Sequence, residues 1–218
     1  MTLLSFRSIV VDNDHWTLIL QGLWATVLIT LFSLLIGTLL GGVVYLMTRS
    51  RQGWVRTVAK WHCFIVRGTP VMVLLLMMYY VVLQGAGGIV AAVIAFSLNF
   101  SNFACAMFRS SIDSVGMGQM DAGRALGFSK MQVLRYIVLP QALRNALPTY
   151  RYQAVTLLKG TSIVGYVAIT DLTGAVNAVR GDTGESFLPL LLVTVIYFIL
   201  AWLLNKTLDY LAKKTNRI

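Results

Sequence analysis

Few residues in this chain are equipped for chemistry, and their types and spacing narrow what that chemistry can be. The two cysteines, Cys63 and Cys105, and the two histidines, His15 and His62, are scattered. They make neither a disulfide framework nor a metal-ligand set such as H-E-x-x-H, so no metal site and no catalytic residue is expected. No convergent nucleophile or acid pair lies within the apolar runs, which argues against an enzyme embedded in a membrane. What remains is a set of polar side chains in greasy surroundings: Asn99, Asn102, Lys159, Thr161 and Ser162. Such groups are costly in hydrocarbon, so they either bond across helices or line a path for polar cargo. Asn99, Asn102, Thr161 and Ser162 are the candidates for that path. Lys159 has another outlet, since its long stem can snorkel to a membrane surface.

The elements that must carry these residues follow from composition. Of 218 residues, 57% are apolar and 12% charged, against about half and about one quarter in a soluble domain. The 26 ionised groups (18 basic, 8 acidic) are too few to cover a soluble surface of this size. The fold class expected is all-α: a polytopic membrane protein, one domain over residues 1–218. The net charge of +10 falls in short patches between apolar runs and not in one stripe, which excludes nucleic acid as a partner. The opening "MTLLSFRSIVVDNDHW" lacks the pattern of a cleaved signal peptide and is expected to be retained.

A span needs roughly 20 apolar residues to cross about 30 Å of hydrocarbon. Five candidates occur: 16–47, 69–83, 89–108, 152–169 and 187–204. The first is long enough to tilt or to begin in the interface, and Gly37 and Gly41 within it form a G-x-x-x-G pair suited to close helix contact. Pro70 suits a helix start, "QGAGG" at 84–88 a tight turn, 49–67 a basic loop, and "DLTGAVNAVRGDTGES" a separator before the last span. With the amino end outside, 16 of the 18 basic residues fall on the cytoplasmic side, leaving Arg7 and Arg180 outside. Asp12, Asp14, Asp171, Asp182 and Glu185 also fall outside, and the carboxyl end is cytoplasmic. That bias is the positive-inside rule.

The longest stretch unlike membrane is "GQMDAGRALGFSKMQVLRYIVLPQALRNALP", residues 118–148. It predicts two short helices. Gly127 stops the first with a left-handed residue, and Ser129 caps the second. Val133, Leu134 and Ile137 recur at helical spacing, Pro140 ends or bends the helix, and Pro148 marks the approach to the next span. On these residues alone two readings stand. The segment is an amphipathic helix resting on anionic lipid, or it is a docking knob in which Ala122, Gly123 and Ala125 admit a close partner while Asp121 and Arg124 set register. A charged docking loop serves a transporter or an assembly protein equally well.

The same residues resemble a known family, the permease subunits of bacterial ABC importers, in the branch for polar amino acids. Its cytoplasmic "EAA" loop reads Glu-Ala-Ala, three residues, Gly, nine residues, Ile, one residue, Leu-Pro. Asp121-Ala122-Gly123 takes the first place, with Gly127, Ile137, Leu139 and Pro140 at the right offsets. Gly118-Gln119, Ala125-Leu126-Gly127, Leu139 through Arg144 and Leu147-Pro148 are similar to the branch pattern, as are "RGTP" at 67–70 and "LLKGTS" at 157–162. The resemblance implies a type I importer permease of five transmembrane helices in the bacterial inner membrane. Its coupling loop, about 110–150, would dock on a cytoplasmic ABC ATPase dimer through Asp121, Ala122, Gly123, Arg124 and Gly127. It also implies a second permease subunit, identical or homologous, an extracytoplasmic solute-binding protein and a polar amino acid as cargo. The chain has no G-x-x-x-x-G-K-[ST] loop, so the ATPase is expected to be a separate chain that uses ATP with Mg2+, and no bound cofactor is expected on this one.

Departures from the family pattern bear on cargo. Asp121 replaces Glu, and Gly123 replaces Ala at a helix cost of about 1 kcal/mol. "SNFACAMFR" carries Ala106 where relatives often have Glu, and "LLKGTS" carries Gly160 where they often have Asp. Two acids are thereby missing from helices that can line the path, which predicts a neutral or acidic amino acid. The alternative is a cationic amino acid or related amine whose contacts come from the partner permease.

Overall fold

The computed structural model describes residues 15–167 and 169–215. Arg7, Asp12, Asp14, Arg217 and the opening segment read above as retained lie outside the described residues. Nine α-helices make up the described chain: α1 (His15–Thr48), α2 (Gly53–Gly68), α3 (Val71–Met77), α4 (Gly88–Asp113), α5 (Met117–Ala125), α6 (Lys130–Gln132), α7 (Leu139–Gly160), α8 (Leu172–Thr183) and α9 (Phe187–Thr215). Wide π-helical turns at Met78–Val82 and Val133–Val138 extend α3 and join α6 to α7, and a 3-10 turn, Thr161–Val167, follows α7. Three helices, α1, α4 and α9, are long and apolar enough to cross a membrane alone; five spans result if each of two bent pairs is one span. The first pair is α2 with α3, bent by 107°, and the second is 130–167 with α8, bent by 51°.

The centre of the fold is α1 lying parallel to α4. Contacts advance together along both: Ser33 Oγ donates to the Val93 carbonyl at 3.3 Å, Gly37 faces Phe100, Gly41 faces Ala104, and Arg49 lies 4.0 Å from Asp113. A Cβ added at Gly41 would stand 2.5 Å from Ala104 Cβ and 2.7 Å from the Ser101 carbonyl oxygen; at Gly37 it would stand 2.8 Å from Phe100 Cβ. The G-x-x-x-G pair is therefore the seam that lets these backbones meet.

Several expectations are corrected here. The 49–67 stretch, expected as a loop, contains α2. Its Val55, Ala59, His62 and Val66 recur at helical spacing and turn toward the protein, while Trp54, Val58, Trp61 and Ile65 form an exposed apolar face. Arg56, Lys60 and Arg67 lie to the side of it. This is the pattern of a helix lying in the membrane interface. Pro70 precedes α3 and does not enter its first turn.

The fourth span is expected at 152–169, with Pro140 ending or bending the helix before it. Instead a helical run continues from Lys130 through Val167, with Pro140 in the first turn of α7 and Pro148 inside it. The π turn before Pro140 absorbs the missing N–H and the ring without a break. Gln141 Nε2 donates to the Ile137 carbonyl there at 2.9 Å.

The separator at 171–186 also proves helical. Asp171 caps α8, its carboxylate accepting from Gly174 N at 2.8 Å and Thr173 N at 3.2 Å. Gly184, at φ 67°, closes it. Cap and stop were both written in the sequence.

Candidate functional site: a coupling surface and a polar groove

The 118–148 segment lies at one end of the bundle. After α4, Asn145 Nδ2 on α7 donates to Ser114 Oγ at 2.9 Å, tying the exit of one span to the entry of the next. Between them α5 ends in a Schellman motif: Phe128 N donates to the Gly123 carbonyl at 3.1 Å and Gly127 N to the Arg124 carbonyl at 2.9 Å. That motif needs a left-handed residue, and Gly127 sits at φ 88°. Ser129 then opens α6 with a reciprocal capping box, in which Gln132 N donates to Ser129 Oγ and Ser129 N to Gln132 Oε1. The left-handed stop at Gly127 and the cap at Ser129 fall where the sequence anticipated them.

Beneath them lies a small core of Val115, Val133, Val138 and Ala142, with Ile112, Met120 and Ile137 packed against it. Of the five expected docking residues, Asp121, Ala122, Arg124 and Gly127 are exposed, and Gly123 is buried. A Cβ at Gly123 would stand 2.6 Å from Ile137 Cδ1 and 3.1 Å from Val133 Cγ2. Gly123 thus seats α5 on the π turn, while its neighbours form an outward face. Leu126 and Met117, both largely exposed, add apolar surface to that face.

The expected path residues separate. Asn99 and Asn102 are half-buried on α4. Asn102 lines a surface cavity of about 630 Å³ between α2 and α4, together with Ala106, Arg67 and Arg109. Its Oδ1 is buried and meets no hydrogen-bond donor among the described residues. Ser162 lines a second cavity, of about 460 Å³, with Lys159, Thr173, Thr194 and Tyr197. Thr161 is fully buried, and its hydroxyl donates to the Leu158 carbonyl at 2.8 Å. Gly160 stands beside Phe96, with room for a side chain at ordinary van der Waals distance.

Sequence reasoning missed a buried polar cluster at the opposite end of the bundle. Tyr197 OH donates to Asp171 Oδ2 at 3.4 Å and lies 3.1 Å from Thr173 Oγ1. Leu172 N donates to Thr26 Oγ1 at 3.0 Å. Asp171 is fully buried, so every oxygen needs such partners. The cluster joins α1, α8 and α9. The cap pattern Asp-Leu-Thr-Gly at 171–174 was the available signal; the partner tyrosine had none.

Residues 33–217 match the family model described as the binding-protein-dependent transport system inner membrane component. The chain belongs to this family of ABC importer permeases. Among its relatives, a Bacillus subtilis chain named as a probable amino-acid ABC transporter permease protein is 30% identical over 188 residues, covering 85% of this chain and 83% of that one. The octopine transport system permease protein of Rhizobium meliloti is 29% identical, over 76% and 72%. The L-cystine transport system permease protein of Bacillus subtilis is 28% identical, over 95% and 90%. A solved amino acid ABC transporter with histidines shares the fold at a TM-score of 0.85 and 28% identity, covering 98% and 99% of the two chains. The permease is thus a multi-pass protein of the bacterial inner membrane with the type I fold and the polar-amino-acid type of sequence. It is not an enzyme; ATP hydrolysis resides in a separate subunit.

Proposed function

We propose that this permease pairs with a second permease, identical or homologous, and passes a polar amino acid or related amine from an extracytoplasmic solute-binding protein to the cytoplasm. Asp121, Ala122, Arg124 and Gly127 form the face that meets the ATPase dimer, and Gly123 holds that face in place. The amino end lies outside and the carboxyl end in the cytoplasm. Arg49, Arg56, Lys60, Arg124, Lys130 and Lys206 gather at the end of the bundle that bears the coupling helices, whereas Asp171, Asp182 and Glu185 gather at the other, which supports this orientation. A carboxyl-terminal green fluorescent protein fusion is expected to fluoresce, and a carboxyl-terminal alkaline phosphatase fusion to be inactive; the reverse result would overturn the orientation.

The cargo reading leans to the alternative, a cargo that carries positive charge. Among the described residues the Asn102 acceptor meets no donor, and it faces a cavity that Lys60, Arg67 and Arg109 also line, so it can take the N–H of an amine whose positive charge is balanced outside this cavity. An amide oxygen takes an ammonium or amine N–H without needing a fixed counter-charge. The relatives named for octopine and the solved transporter with histidines support the same reading. The missing carboxylates at 106 and 160 then place the counter-charge on the partner permease. Thr161 and Ser162 serve the path from the α7 side, Thr161 by fixing the backbone and Ser162 through the cavity shared with Lys159; Asn99 continues the Asn102 face toward the opposite end.

In proteoliposomes bearing the whole importer, histidine or arginine is expected to compete with uptake at least as well as glutamine, and glutamate poorly. Asn102→Leu is expected to raise the KM for the amine-bearing cargo with little change in the amount of assembled complex. Uptake confined to acidic amino acids, or an unchanged KM in that variant, would refute this cargo reading.

A further inference from the structure

The chain has two cysteines, and the fold brings them together. Cys63 on α2 and Cys105 on α4 come together at the contact between these helices. Both belong to one small cluster with Val44, Tyr45 and Ala59, and both line the α2–α4 surface cavity. Neither is bound in a disulfide. The surroundings are electropositive. Lys60 and Arg67 stand one helical turn to either side of Cys63, and Arg109 stands one turn beyond Cys105; all three line the same cavity. Asp113 is the acid there, and Arg49 lies 4.0 Å from it. Nothing in permeation or docking requires two thiols in contact.

We propose that Cys63 and Cys105 are a peroxide-sensitive dithiol whose closure pins the interfacial helix α2 to α4. The half-buried Cys63 is the thiol nearer solvent. Its sulfur attacks a hydroperoxide: the O–O bond breaks, the leaving oxygen takes the thiol proton as water or alcohol, and Cys63 becomes a sulfenic acid. Cys105 sulfur then attacks Cys63 sulfur. The S–O bond breaks, the S–S bond forms, and the departing hydroxide takes the Cys105 proton as water. Two thiols and one hydrogen peroxide give one disulfide and two waters, the two sulfurs supplying both electrons. The site lies close to the coupling segment, since α4 passes into α5 after three residues. A covalent pin here fixes α4 relative to α2 and so restrains the helix that carries α5, which stops turnover until a thiol reductant opens it.

The intact importer, purified with its own ATPase and binding protein, is exposed to hydrogen peroxide and read in two ways. Mass spectrometry of the permease chain is expected to register loss of two hydrogens and a linked peptide pair containing Cys63 and Cys105. Binding-protein-stimulated ATPase is expected to fall several-fold and to return with dithiothreitol. In Cys63→Ser and Cys105→Ala, each normalised to its own untreated rate, peroxide is expected to have no such effect. Oxygen gained at Cys63 with Cys105 still free, a link between two copies of the chain, or equal inhibition in the cysteine variants would each overturn the proposal. The mass readout depends on neither the docking nor the cargo reading, so failure of those is distinguishable from failure of this one.

Discussion

Gly123→Leu is expected to uncouple the importer. The position faces the π turn at Val133–Val138, where even a Cβ would come within 2.6 Å of Ile137 Cδ1. Because that atom ends a flexible side chain, Gly123→Ala is expected to be accommodated, and to recover about 1 kcal/mol of helix propensity. Leucine cannot be accommodated in this way. Its branched end would enter the small core around Val133 and Val138, at a cost of roughly 1–3 kcal/mol, which the unit can relieve only by lifting α5 off its seat. The outward face formed by Asp121, Ala122 and Arg124 would then be presented at the wrong angle. The expected result is a loss of about tenfold or more in binding-protein-stimulated ATPase, the factor such an overpacking energy implies, with normal membrane insertion and near-normal activity in Gly123→Ala. Equal stimulation in Gly123→Leu and wild type would remove Gly123 from its positioning role. The same experiment speaks to the departure from the family's Glu-Ala-Ala: a glycine at the third place is the smaller version of a residue that must fit under Ile137.

Gly41→Leu is expected to have the larger effect on the folded state. Here the added Cβ would meet backbone as well as side chain, at 2.7 Å from the Ser101 carbonyl oxygen and 3.1 Å from Cys105 N. Neither neighbour can rotate away. The α1–α4 seam must open along its length, loosening the contacts of Ser33 with Val93 and of Gly37 with Phe100. Destabilisation at the upper end of about 1–3 kcal/mol or beyond is expected, seen as a fall in the yield of monodisperse protein and in its Tm in detergent. Gly42 is the internal control. One position along, its added Cβ would meet only Phe108 Cε2 at 3.7 Å, an ordinary contact, so Gly42→Ala is expected to resemble wild type. A shared Tm for Gly41→Leu and Gly42→Ala would mean that the seam is not where the fold is held.

Both predictions rest on glycines, and the two differ in how much of their role was legible beforehand. Gly37 and Gly41 announce themselves by spacing, since two small residues one turn apart on an apolar helix mark a place where another helix can come close. Gly123 does not. Its number in the motif suggests a docking contact, and only the position of Ile137 turns it inward. Gly127 and Ser129 belong with the legible group, because a left-handed stop and a cap are local events decided within a few residues.

Sequence alone determined the fold class, the starts of the helices expected at 16–47, 89–108 and 187–204 to within a residue, and the stop and cap at Gly127 and Ser129. All of these depend on composition over short windows, on hydrocarbon thickness or on backbone hydrogen bonds made nearby. Tertiary structure decided the rest. It made α2 a helix at 107° to the next, since an amphipathic stretch takes its direction from the interface and the helix beneath. It carried α7 through Pro140, because a π turn upstream could take up the strain. It buried Asp171 against Tyr197, and it set Asn102 and the two cysteines around one cavity between α2 and α4. These are meetings of residues up to forty-two positions apart in the sequence for the cysteines and twenty-six for Asp171 with Tyr197. No local rule anticipates them, because the energy that selects such pairs comes from packing whole helices against each other.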